Sequence, residues 1–143
     1  MSRFRLSLID NDQDYAACFD VMQALRPHIP DAAAFAARAR RQAGQGYRLL
    51  AAWQGDQVAG LAGYRAQENL LYGRFLYVDD LVAAASARRR GVGGLLIEAL
   101  REEARQHDFA HLVLDTALDN ALAQRFYFRH GLLSRGLHFS QAL

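Results

Sequence analysis

The stretch Arg88-Arg89-Arg90-Gly91-Val92-Gly93-Gly94, running straight into Leu95-Leu96-Ile97-Glu98-Ala99-Leu100, constrains this chain more than any other. Val92, Leu95, Leu96, Ala99 and Leu100 recur at i, i+3, i+4, i+7 and i+8, the apolar stripe of an amphipathic helix that begins inside a glycine turn. The first turn of a helix has backbone N–H groups with no internal acceptor, and the helix dipole makes that end positive. Glycines there let a ligand approach the backbone without meeting a Cβ. With arginines in front, the combination describes a seat for phosphate or pyrophosphate. The plainer alternative is a basic loop ahead of an ordinary helix.

The remaining segments place this turn within a mixed α/β chain. Alternation marks strands over Arg3 to Ile9, Tyr47 to Trp53, Val58 to Gln67, Arg74 to Ala83 and Leu137 to Ala142. A Leu/Val-rich run from His111 to Thr116 reads as a buried strand. Helices are expected from Tyr15 to Leu25, from Asp31 to about Gln42, from the glycine turn to about His107, and from Ala121 to His130. Asp10-Asn11-Asp12 and Asp119-Asn120 supply caps, and Gly131 stops the last helix. With 143 residues, 52% of them hydrophobic, and no repeat or linker, a single domain spanning 1–143 is expected.

Composition narrows the function. No apolar run approaches the ~20 residues of a membrane span, and Met1-Ser2-Arg3-Phe4-Arg5 lacks a signal-peptide core. The lone Cys18 sits in an apolar helical pattern, excludes an internal disulfide and suits a reducing cytoplasm. The five histidines are scattered without ligand spacing, so no metal site is expected. All 17 basic residues are arginine, which rules out the lysine of a Walker-type nucleotide site. A net charge of +2, without aromatics interleaved among the basic residues, argues against a nucleic-acid binder using Arg88 to Arg90.

Arg88-Arg89-Arg90-Gly91-Val92-Gly93 resembles the Arg/Gln-x-x-Gly-x-Gly/Ala signature of the GNAT superfamily of N-acetyltransferases. The preceding strand end, Val78-Asp79-Asp80-Leu81-Val82, is similar to that family's acidic residue followed by leucine. A third match is Asn120, then Phe126-Tyr127, then His130-Gly131. The similarity covers roughly Val58 to Leu132. It departs at Leu132, where many relatives carry an aromatic residue, and in the short alanine-rich segment before Arg88. The resemblance implies a mostly antiparallel sheet flanked by helices, with a splayed central strand pair forming a notch for acetyl-CoA. A bulge near Asp80 would produce that splay.

The resemblance also assigns roles. Amides from about Arg89 to Gly94 (including Gly91, Val92 and Gly93) would hold the pyrophosphate, with one or more of Arg88, Arg89 and Arg90 adding charge-assisted bonds. The pantetheine arm would pair along Leu81 and Val82 and meet Asn120, unless Asn120 only caps its own helix. An amine of pKa near ~10.4 is almost wholly protonated at neutral pH and must lose a proton before attack. Asp79 aligns with the family's general base, acting through water, and Tyr127 with the acid that protonates the thiolate. The alternatives are a solvated acidic pair and a core aromatic. Asp80 is expected on the other strand face unless a bulge intervenes, where it would bind a cationic substrate. Asp79, Asp80 and Glu68 near one cleft would favour a polyamine, aminoglycoside or peptide lysine. The loops around Arg26 to Asp31 and Asn69 to Gly73 are expected to read the acceptor, and a homodimer through the terminal strands fits the resemblance. A non-catalytic acyl-CoA-binding module would need neither Tyr127 nor the acidic strand end.

Overall fold

Alternating segments and capped helices produce five strands and four helices in the computed structural model, which describes residues 3–143. They are β1 Arg5–Leu8, α1 Asp12–Leu25, α2 Ala32–Ala43, β2 Arg48–Gln54, β3 Gln57–Asn69, β4 Gly73–Ala83, α3 Val92–Gln106, β5 His111–Leu114 and α4 Ala121–Arg129. The sheet order is β1-β2-β3-β4-β5, and β1 to β4 pair antiparallel in succession. Hairpin turns join β2 to β3 and β3 to β4. A 3₁₀ turn, Ala85–Ala87, and α3 carry the chain from β4 to β5. Among the described residues no helix is long and apolar enough to cross a membrane.

The caps form where polar residues precede the apolar patterns. Asn11 Oδ1 accepts from the Asp14 amide at 2.8 Å, and Asp31 Oδ1 accepts from the Ala34 amide at 2.8 Å. The chain divides into two compact units, Met1–Val113 and Leu114–Leu143. In the first, α1 and α2 pack Tyr15, Cys18, Met22 and Phe35 against Leu49, Ala51, Trp53 and Leu61 of β2 and β3. Burying a leucine side chain fully, as at Leu49 and Leu61, is worth about 1.5–3 kcal/mol. Neighbouring strand residues point to opposite faces, and a Cβ at Gly60 would sit 3.0 Å from Val92 Cγ2 and 3.1 Å from Leu96 Cδ1. The start of α3 therefore lies close against the sheet face opposite α1 and α2.

In the second unit, Asn120 caps α4, its Oδ1 accepting from the Ala123 amide at 3.1 Å. Gly131, at φ +86°, ends the helix as expected. Its amide donates to the Phe128 carbonyl and that of Leu132 to the Tyr127 carbonyl, the paired bonds of a Schellman motif. The strand expected over Leu137 to Ala142 does not form. Alternation there amounts to Leu137 and Phe139 alone, and both side chains are exposed (68% and 87%). Without buried apolar area or a paired ladder, nothing offsets the entropy of extending the segment.

Candidate active site

The acidic doublet of β4 is placed by one irregularity. Along the β3–β4 ladder Asp80 pairs with Gly63 and Val78 with Tyr64, so Asp79 is an extra residue with no partner. This is the β-bulge expected near Asp80. It cancels the alternation that would send the two side chains to opposite faces, and both line one cavity of about 350 Å³. Arg26, His28 and Ile29, from α1's C-cap and the segment after it, form one wall. Phe35, Arg38, Ala39 and Gln42 of α2 form another. The Arg26 to Asp31 loop thus lies where an acceptor-reading loop was expected, whereas residues of the Asn69 to Gly73 turn do not line the cavity.

Both carboxylates are held by the chain's own donors. Arg26 Nε and Nη2 reach Asp80 Oδ1 at 2.9 Å, and Nη2 also donates to the Asp79 carbonyl at 2.8 Å. Tyr47 Oη donates to Asp80 Oδ2 at 2.7 Å. Arg65 grips Asp79 with two bonds, Nε to Oδ1 at 3.1 Å and Nη2 to Oδ2 at 2.9 Å, and its Nη2 also donates to Gln42 Oε1. The Arg65 guanidinium lies 5.4 Å from the Tyr47 ring centroid. Gly63 makes this arrangement possible, because a Cβ there would overlap the Tyr47 hydroxyl and come within 2.6 Å of Asp80 Oδ2.

Burial pushes the Asp79 carboxyl above its usual range, and Arg65 only partly opposes the shift. Burial, reinforced by the Asp80 charge, pushes the Tyr47 phenol well above its usual value, so it remains a donor. Each oxygen of Asp79 still has a lone pair beyond the Arg65 bond, and a carboxylate with a raised pKa in a cavity is suited to taking a proton.

The glycine turn forms a separate feature of the same unit. Gly91 caps α3 at φ +84°, in the left-handed region, and Arg89 sits there too at φ +65°. The first helical bond runs from the Leu95 amide to the Gly91 carbonyl at 3.0 Å, so the Val92, Gly93 and Gly94 amides have no helical acceptor. Arg88 and Arg89 are exposed, while Arg90 Nη1 donates to Gln54 Oε1 at 3.0 Å. Free amides, a positive helix end and two exposed guanidinium groups fit a pyrophosphate. Arg90 is already bonded within the chain. Upstream, Leu81 and Val82 pair with Ala62 and Leu61 of β3 on one side. On the other side the Ala110 amide reaches the Arg74 carbonyl at 3.1 Å, and β5 has only four residues against eleven in β4. The backbone ladder of Leu81 and Val82 is thus the one with β3.

Tyr127 and Asn120 lie in the second unit. The Tyr127 ring packs edge-on against Phe126 at 5.6 Å, and burial raises its phenol pKa. Asn120 spends its side-chain oxygen on the cap.

One expectation changes. Glu68 is exposed at the far end of β3, opposite Arg74, and does not line the cavity, because the long β3–β4 hairpin carries it away from the bulge. Asp80, expected as a contact for a cationic acceptor, lines the cavity and accepts from Arg26 at Oδ1 and from Tyr47 at Oδ2. The residues that sequence reasoning missed are Arg26, Arg38, Gln42, Tyr47 and Arg65. One signal for them existed. Gly63 interrupts an apolar strand, which marks a close approach by another group.

The acetyltransferase (GNAT) family profile matches residues 10–132. An uncharacterized N-acetyltransferase of Bacillus subtilis (strain 168), YhdJ, is 28% identical over 83 residues, a match spanning 58% of this chain and 58% of that protein. The ribosomal-protein-alanine N-acetyltransferase of Brucella melitensis biovar Abortus 2308 superposes with a TM-score of 0.82 at 15% identity, covering 98% of this chain and 99% of that one. Aminoglycoside N-acetyltransferase AAC(6')-Iy, solved in complex with CoA, superposes at 0.79 with 17% identity, covering 98% and 97%. At such identities the superpositions establish a shared fold. The profile match, extending over most of the chain and including both the bulged strand end and the glycine turn, shows that the chain belongs to the acetyltransferase (GNAT) family.

Proposed function

We propose that this protein transfers the acetyl group of acetyl-CoA to a primary amine of a small-molecule or peptide acceptor, its two units serving one acetyltransferase domain. The observation that carries the reading is the Asp79 bulge. It directs a carboxylate of raised pKa into a cavity, a few residues before the strand end carrying Leu81 and Val82 and a glycine turn whose first amides have no helical acceptor. The Val92, Gly93 and Gly94 amides, with Arg88 and Arg89, hold the pyrophosphate. Leu81 and Val82 offer backbone groups to the pantetheine arm. Asp79 accepts the amine's proton through a water molecule. Tyr127, kept protonated by burial, donates to the departing thiolate. Asn120 keeps α4 capped and retains its amide nitrogen for the pantetheine.

The test is an acceptor screen with acetyl-CoA, read by free-thiol release and by the mass of the acetylated product. Release that depends on an amine, and falls in Asp79→Asn and Tyr127→Phe, supports the assignment. Acetyl-CoA binding with no acetylated product from any amine would instead identify an acyl-CoA-binding module.

A further inference from the structure

The charges around the cavity constrain the acceptor beyond its amine. Asp79 and Asp80 read in sequence as an acidic pair, yet every carboxylate oxygen is taken by a donor of this chain. A cationic acceptor can still reach the remaining lone pairs, but each carboxylate charge is already balanced by a guanidinium, so the doublet offers little net attraction to a polycation. Arg38 is in a different position. It lines the cavity from α2, is only half-exposed, and makes no hydrogen bond or ion pair with any described residue. Its spacing from Gln42, four residues on, puts both on one helix face, and Gln42 is already tied to Arg65. His28 lines the same space, also without a partner among the described residues. Three guanidinium groups therefore serve a cavity with two carboxylates. With each carboxylate paired to one guanidinium, the uncommitted charge is that of Arg38, a planar donor fork.

Resting on the acetyl-transfer reading, we propose that the acceptor is a small amino acid-like compound that carries a carboxylate beside its amine. Arg38, assisted by His28, receives that carboxylate while the amine faces Asp79. A guanidinium matches a carboxylate with two parallel N–H···O bonds, a geometry that a carboxamide cannot reproduce with equal strength. The cavity volume, about 350 Å³, falls at the small end of the roughly 300–1,000 Å³ range of ligand pockets, which suits a single compact acceptor.

The experiment compares the common α-amino acids with their carboxamides and their decarboxylated amines, together with a polyamine and an aminoglycoside. Two readouts are used, acetyl-CoA-dependent turnover and direct calorimetric binding of each compound. The expected result is one or more amino acids whose kcat/KM exceeds that of the matched carboxamide by about tenfold to a hundredfold, the range of a charge-assisted bond. Arg38→Gln should shrink that acid-to-amide ratio about tenfold, mainly through KM, and Arg38→Lys should restore part of it. Turnover of amides, polyamines or aminoglycosides equal to or better than the acids would overturn the anion site and leave acetyl transfer standing. Carboxylate-selective binding that Arg38→Gln weakens, with no turnover of any amine, would sustain the anion site and sink the transfer reading. An acid-to-amide ratio unchanged in Arg38→Gln would remove Arg38 from the site.

Discussion

Gly63→Ala tests the geometry of the site without touching a titratable group. Gly63 lies in β3 with an ordinary backbone conformation, so an alanine in open space there should be neutral or slightly stabilising. Instead the new Cβ overlaps the Tyr47 hydroxyl, sits 2.6 Å from the Tyr47 Cζ, and sits 2.6 Å from Asp80 Oδ2. Tyr47 is buried at 5% exposure between β2 and the helices, so it has little room to retreat. Its bond to Asp80 is charge-assisted, worth roughly 1.5–3 kcal/mol, and overpacking a filled site costs about 1–3 kcal/mol. Because both costs fall on one contact and are not fully additive, the net loss is about 2–4 kcal/mol. At about 2.1 cal/mol/K of unfolding entropy per residue, this lowers Tm by roughly 7–13 °C. In a Tyr47→Ala background the phenol is gone and Asp80 is held only by Arg26 at Oδ1, so Oδ2 can move off the new Cβ and adding Gly63→Ala should cost at least about 1 kcal/mol less than in wild type. Thermal and denaturant melts of the four proteins give the cycle directly. A Gly63→Ala protein as stable as wild type, or a penalty that persists without Tyr47, would refute the packing described here.

Gly93→Val should abolish the thermal stabilisation that acetyl-CoA confers on wild type, because the bare first turn is the surface the pyrophosphate needs; equal shifts would misplace the seat. Tyr127→Phe should retain acetyl-CoA binding and lose roughly ten- to a thousandfold in kcat, and full activity would return Tyr127 to a packing role. Burial pushes the Cys18 thiol up to about 12, so it should resist thiol reagents at neutral pH until the protein is unfolded, as mass spectrometry would show. Because the Asp79 carboxyl sits above its usual range and must be ionised to act as base, kcat/KM should fall with decreasing pH at a midpoint above that of free aspartate, ~3.9. Asp79→Asn should lose that limb, with residual activity rising toward high pH as more amine is neutral; an unchanged profile would assign the proton transfer elsewhere.

Most of the fold was legible because its signals are local. The caps at Asn11 and Asn120, the helix start at Asp31, the Gly131 stop and the glycine turn each depend on a few consecutive residues, and each appears where it was read. The bulge was legible as a requirement, since the resemblance needed one near Asp80, but the residue without a partner follows only from the pairing of Gly63 with Asp80 and Tyr64 with Val78. The strand over Leu137 to Ala142 was misread because two alternating apolar residues do not specify a strand without a partner to pair with. The arginines around the cavity were illegible for another reason. Arg26, Arg38 and Arg65 lie on α1's C-cap, on α2 and on β3, and no periodicity in one segment reports on a charge supplied by another.

The same distinction governs how the site's charge should be read. Two adjacent aspartates in a sequence suggest an anionic cleft, because the sequence shows the doublet and hides its partners. Here each aspartate is paired at 2.9 Å with an arginine at least 14 positions away, so the doublet brings little free negative charge to the cavity. Its contribution is geometric. Asp80 fixes Arg26 and Tyr47, Arg65 fixes Asp79, and the bulge points the carboxyls toward the same space. The charge left to meet a substrate is set by the group without a partner, and among the residues lining this cavity that group is the guanidinium of Arg38. An acidic strand end in this fold therefore does not by itself imply a cationic acceptor. The inference has to run through the pairing of each carboxylate, and here that pairing favours the carboxylate-bearing acceptor proposed above.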